Sequence, residues 1–185
     1  MEIVDEAVIQ LAGQRLMKRA EAVRSVKLGR TVETTFALND IRQGAANDNI
    51  SSWLSAGTFP YPKTQPAIYV IRAADVETVA RLMEEFPIRE LRDFAGPRVN
   101  EESDGSTTLY VGSSESVQKR LSEHLWQAHV RTYAVHLGRW CKVTDGSLIL
   151  SVQAILNSTD RGVRQDLEDT VWNRLRPKLG KSGGR

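Results

Sequence analysis

The first apolar positions recur at roughly helical spacing: Val4, Val8, Leu11, Leu16, Ala20 and Val23, with Gly29 as a stop. Residues 3–28 therefore predict one long amphipathic helix whose outer face is basic. From Thr31 to Pro66 the pattern dissolves. Gly44, Asn47-Asp48-Asn49, Gly57, Pro60, Pro62 and Pro66 mark an irregular connection, with a short helix expected around Ile50 to Leu54. Order returns at Ala67-Ile-Tyr-Val-Ile-Arg72, a β-branched run bounded by Pro66 that reads as a strand. Asp75 caps an expected helix with apolar positions Val76, Val79, Ala80, Met83 and Phe86, stopped by Pro87. A loop with Gly96-Pro97 leads to a second strand, Thr107 to Gly112. Ser113 and Ser114 read as caps of a helix from 116 to about 129 that buries Val117, Leu121 and Leu125 at i, i+4 and i+8. Ser147 to Leu156, the longest apolar run, predicts a central strand. A last helix begins near Asp160 or Arg161 and ends before Pro177.

At 185 residues and 41% apolar content, the chain has the size of one globular domain with an extension. The net charge of +2 is nearly neutral, so the distribution of charge says more than the sum. Arg15, Lys18, Arg19, Arg24, Lys27 and Arg30 face a single acid, Glu21, and no acid follows Asp169, whereas Asp75 to Asp104 is acidic. Two basic ends suit a phosphate-binding face, and equally two solvated helix faces. The lone Cys141 excludes an internal disulfide and suits a reducing compartment. Met1-Glu-Ile-Val-Asp-Glu6 is acidic and precedes no unbroken apolar run, and no stretch is long enough to span a bilayer. A cytoplasmic protein with no membrane partner is the expectation.

Candidate chemistry gathers around the second strand. Arg120 and His124 are four residues apart on one helix, at the border of its apolar stripe. A guanidinium there suits a phosphate, and an imidazole can hold or move a proton. Tyr69 and Tyr110 lie within the two strands. Gly112 ends the second strand, where a backbone or a phosphate can approach closely. His129 and His136 pair with nothing at metal-site spacing, and Trp126, Trp140 and Trp172 read as packing residues.

Taken in order, Ala67-Ile-Tyr69, Tyr110-Val-Gly112, Arg120 and His124 on the following helix, and Glu168 in a late helix resemble the GIY-YIG nuclease family over roughly residues 66–180. The resemblance implies an α/β (α+β) fold, a small three-stranded antiparallel sheet flanked by helices. It divides the chain into an N-terminal helical extension, 1–65, and a nuclease-like domain, 66–185, with an insertion at 74–106. It implies an endonuclease that hydrolyses phosphodiester bonds of double-stranded DNA, with restriction-type cutting as the leading role and RNA as an open alternative. The matching catalytic positions are Tyr69, Tyr110, Arg120, His124 and Glu168. Glu168 is the expected ligand of Mg²⁺, with Mn²⁺ as a substitute. Tyr69 is the first choice of general base, with Tyr110 or His124 in support, or His124 as the base itself. Ala67 stands where the family motif has its first glycine. The family's asparagine after the last helix is missing, and Lys178 or Lys181 is the candidate replacement in binding substrate beside Gly112. A homodimer on DNA is expected, because one active site per chain cuts one strand. The rival reading is a non-catalytic DNA-binding module or adaptor that retains the fold.

Overall fold

The computed structural model describes residues 4–43, 52–53, 60–62, 64–87, 95–126, 129, 131–157 and 160–183. Among these residues the named elements follow in order. They are α1 (Glu6–Arg24), β1 (Leu28–Ala37), α2 (Leu38–Gln43), β2 (Ala67–Ala73), α3 (Val76–Glu85), β3 (Thr108–Ser114), α4 (Val117–Leu125), α5 (Leu137–Trp140), β4 (Ser147–Ile155) and α6 (Arg161–Leu175). Asp5, Asp75 and Asp160 each accept a backbone N–H three residues on and so start α1, α3 and α6. Of the short helix expected around 50–54, Ser52 and Trp53 are helical and the rest lies outside the described residues, as do 127 and 128 beyond α4.

The strands form one antiparallel sheet of order β1-β4-β2-β3. This corrects the expectation of three strands. The fourth, β1, lies in the stretch expected to hold only the end of a long helix and an irregular connection, and it pairs along β4 from Leu28↔Ile155 to Ala37↔Ser147. Its buried residues are Gly29, Val32 and Phe36, and its pairing shifts register between Leu28 and Thr31. That irregularity erases the period of two by which a strand is recognised. Between β1 and β2, β4 is interior and alternates cleanly, burying Leu148, Leu150, Val152 and Ala154.

Those side chains share one sheet face with Ala67, Tyr69, Ile71 and Ala73 of β2 and with Val32 and Phe36 of β1. The core closes over this face with Leu38 and Ile41 of α2, Val79 and Leu82 of α3, Val117, Leu121 and Leu125 of α4, and Leu137 and Trp140 of α5. Each such side chain stabilises the fold by about 1.5–3 kcal/mol on burial. On α3 the inward stripe is Thr78, Val79 and Leu82. Val76, expected inside, is 55% exposed, because it opens the first turn beside the cap. Helix α6 lies along β3 and β2 on the opposite face, where its Leu167 and Val171 line a shallow hollow with Ile68 and Val70. Helix α1 lies against α6, and its own residues stay outside the core, with Val8, Ile9, Leu11, Leu16 and Met17 all exposed. No helix among the described residues is long and apolar enough to cross a membrane.

Candidate active site

A cleft of about 570 Å³ opens at the edge strand β3, where groups from both sheet faces meet. Tyr69, Tyr110, Gly112, Arg120 and Glu168 line it, together with Ser113 to Ser116, Thr132, Tyr133, Arg161, Arg164 and Gln165. His124 lies directly beneath, fully enclosed, with its Nε2 2.9 Å from the Tyr69 hydroxyl. Five positions spread from 69 to 168 therefore converge through β2, β3, α4 and α6.

The strand register explains the tyrosines. Tyr69 pairs with Gly112 on β3, and Tyr110 pairs with Ile71 on β2, so both rings leave the same face side by side, 6.4 Å between centroids. The His124 ring completes the group, 5.5 Å from Tyr69 and 4.4 Å from Tyr110. Gly112 is what makes room for them. A Cβ there would stand 2.6 Å from Tyr69 Cζ and 2.9 Å from Tyr110 Cε1, too close for either buried ring. Its absent side chain is filled by the tyrosines, a packing reason for the glycine in addition to its place in the cleft wall.

Hydrogen bonds assign the His124 tautomer. The Val135 N–H donates to Nδ1 at 3.1 Å, so Nδ1 carries the lone pair and Nε2 the proton. Burial, with the Arg120 charge and His136 adding to it, holds the imidazole pKa well below its ordinary value, so the ring is neutral near pH 7. Nε2–H then donates to the Tyr69 oxygen, which leaves the phenolic proton free to donate elsewhere. A ring with Nδ1 committed to the backbone and Nε2 protonated has no open lone pair with which to act as the base itself. Burial also raises both phenols. Tyr69 is pushed well above its ordinary value, with Tyr110 adding to burial, and Tyr110 is pushed up to about 12; Arg120 opposes both shifts and is outweighed. As the chain stands, both tyrosines are protonated near neutral pH.

Arg120, one turn before His124 on α4, is held from two sides. Its Nη1 donates to Glu123 Oε2 at 2.6 Å, and its Nη2 donates to the Tyr133 carbonyl. Across the cleft, Ser113 donates to Glu168 Oε2 at 2.5 Å, tying α6 to β3. Ser113 was expected to cap a helix; instead β3 runs on through Ser114, and it is Ser114 that accepts the Ser116 N–H. The role of Ser113 is legible only once the strand end is known. Asp166 and Asp169, the neighbours of Glu168, point elsewhere: Asp166 binds Arg19 and Asp169 accepts from Gln165.

Two substrate-binding candidates sit differently. The Lys178 ammonium donates to the Ser103 carbonyl at 2.7 Å, and Lys178 is not among the residues of the cleft. It serves to hold the end of the 74–106 insertion against the segment after α6. Asn100 does the same, donating to the Pro177 carbonyl at 3.0 Å beside the Val99↔Leu179 bridge. Lys181 is exposed and borders an adjoining hollow that shares Tyr110, Tyr133, Gln165 and Glu168 with the cleft. Of the tryptophans, Trp140 is buried edge-on to Phe86 and donates to the Val135 carbonyl, and Trp126 packs over Gly138.

Among the described residues, no three His, Cys, Asp or Glu side chains gather as a metal cage. Of the two carboxylates that line the cleft, Glu115 is paired with Arg164, and Glu168, held by Ser113, faces an open polar space that suits Mg²⁺, an ion that keeps most of its waters and takes phosphate oxygens as further ligands. It does not suit a closed zinc site. Searches against protein-family models, curated proteins and solved structures found no match.

Proposed function

We propose that the chain is a Mg²⁺-dependent endonuclease of the GIY-YIG kind, cutting phosphodiester bonds of double-stranded DNA as a pair of chains. The observation that carries this reading is the convergence of Tyr69, Tyr110, Arg120 and Glu168 on one cleft, with His124 hydrogen-bonded behind Tyr69. Phosphoryl transfer asks a protein mainly for positioning and for positive charge at the phosphate. Arg120 brings a permanent guanidinium to that place, kept in one orientation by Glu123 and the Tyr133 carbonyl. Tyr69, with its oxygen already accepting from His124, presents its O–H to orient a water or a phosphate oxygen. Ser113 keeps Glu168 in place on the opposite wall. A Mg²⁺ ion on Glu168 would supply charge for the phosphate oxygens and for the leaving oxygen, and would lower the pKa of groups beside it. His124 acts in this scheme as a positioning residue for Tyr69.

The partner chain follows from chemistry: one cleft serves one strand, so a double-strand cut in one encounter takes two.

Incubation of the pure protein with supercoiled plasmid and with linear phage DNA, with Mg²⁺ and with EDTA, tests the activity. Discrete fragments mean site-specific cutting and a smear means nonspecific cutting. Intact DNA that is nevertheless bound would return the chain to a non-catalytic binding module. Glu168→Gln keeps the shape and the Ser113 contact but removes the carboxylate charge. Its cleavage rate should fall on the order of a thousandfold, with DNA affinity kept, since a negative charge has been removed from the phosphate's surroundings. A folded Glu168→Gln that cuts like the parent sinks the metal assignment.

A further inference from the structure

Helix α6 turns one stripe toward the cleft: Arg161, Arg164, Gln165 and Glu168, at i, i+3, i+4 and i+7. Only Glu168 has a part in the chemistry above. Arg164 is the enclosed member, 12% exposed, and its Nη1 donates to Glu115 Oε1 at 2.8 Å, whereas Glu115 is 58% exposed. The pair is asymmetric. Both line the cleft, but the guanidinium is enclosed in its wall, whereas the carboxylate stands largely in solvent and can turn back into it with its hydration restored. Arg120, by contrast, has two ends of its fork committed to Glu123 and to the Tyr133 carbonyl. The cation of the cleft whose partner is easiest to exchange is therefore Arg164, and Arg161 stands beside it, one turn earlier, exposed on the same stripe.

We propose that Arg164, assisted by Arg161, is a second phosphate subsite that takes a backbone phosphate next to the scissile one, and that Glu115 fills it in the free protein. The inference rests on the nucleic-acid reading of the cleft. Carboxylate and phosphate offer a guanidinium the same pair of acceptor oxygens, so one replaces the other on Arg164 without rebuilding the wall. Arg164 precedes Glu168 by one helical turn, about 6 Å along the axis, so a strand whose scissile phosphate lies on Arg120 in the cleft that Glu168 borders carries a neighbouring phosphate past Arg164. Substrate must displace Glu115 to settle there, and Glu115 thereby holds affinity below what the cleft could reach.

Fluorescence anisotropy of a labelled DNA duplex in EDTA, where binding is read apart from cutting, tests this with four proteins: parent, Arg164→Gln, Glu115→Gln and the double variant. Arg164→Gln should weaken binding by about tenfold, and Glu115→Gln should tighten it by about threefold, the sizes expected of one charge-assisted phosphate contact and of one competitor removed. The double variant should bind like Arg164→Gln alone, since Glu115 acts through Arg164. Thermal melts establish that each variant is folded. A folded Arg164→Gln with parental affinity overturns the subsite, and so does a Glu115→Gln that tightens binding equally in both backgrounds, which would be a general charge effect. A parent that binds duplex but cuts nothing with Mg²⁺ sinks the endonuclease reading and leaves the four-protein comparison to decide the subsite. A parent that binds neither duplex, single-stranded DNA nor RNA sinks both.

Discussion

His124 shows how much one buried side chain settles. Its two nitrogens meet a backbone N–H on one side and a phenolic oxygen on the other, and both contacts suit the neutral ring with its proton on Nε2. The depressed pKa makes a prediction whose sign can be worked out. In the unfolded chain the imidazole takes a proton below about pH 6.5, and in the folded chain it resists one. The unfolded state thus binds more protons in that range, so stability is full above about pH 6.5 and is lost as pH falls toward the depressed folded value. His136, also lowered by burial, works in the same direction. Urea midpoints should fall between about pH 7 and about pH 5, and the fall should be smaller in His124→Gln. An equal fall in the two proteins would mean that His124 charges in the folded state. At this scale the sequence was partly readable. Tyr69, Tyr110, Arg120, His124 and Glu168 could be named from a family resemblance carried by their order along the chain, but Ser113, Arg164 and Glu115 could not. Nothing in a run of serines, or in an Arg–Glu pair 49 positions apart, announces a contact.

Helices α1 and α6 make the case at the scale of elements. The basic face of α1 was legible, but its Arg19 does not stand free for a nucleic acid. Its Nε and Nη2 hold both oxygens of Asp166, at 2.5 and 2.6 Å, and Nη2 also reaches the Gly162 carbonyl. With α1 outside the core, this clamp ties the C-terminal half of the helix to α6. Arg19→Ala should therefore raise amide hydrogen exchange across Glu6–Arg24 while moving the melting temperature little, since both partners are more than a third exposed. Unchanged protection of that helix would show that α1 is held by something else. Strand β1 is the element that pattern reading missed. Thr31-Val32, Thr34-Thr35-Phe36 is rich in strand-favouring residues, but buried positions 29, 32 and 36 mimic a helical interval. Its pairing with β4, more than a hundred residues away, is what makes it a strand.

For the whole molecule, the cleft and α1 face different tasks. The cleft gathers Arg120, Arg161 and Arg164 around Glu168, whereas α1 leaves Val8, Leu11 and Leu16 in solvent among the described residues. The proposed pairing of two chains predicts a light-scattering mass of two protomers on a short duplex. A single protomer both free and on DNA would remove that part of the proposal.

The sequence by itself determined the helices α3, α4 and α6 and the strands β2, β3 and β4 to within a few residues, because period and caps are local properties of the chain. It also determined which residue types could serve a phosphate. Tertiary structure alone decided the fourth strand, the burial of the tyrosine–histidine group and the assignment of each cation. Arg19 went to Asp166, Lys178 to the Ser103 carbonyl and Arg164 to Glu115. The reason is physical: a charge takes whichever partner the packed chain brings within a few ångströms, and burial sets a pKa only after the layers around it have closed. Neither is a property of spacing along the sequence.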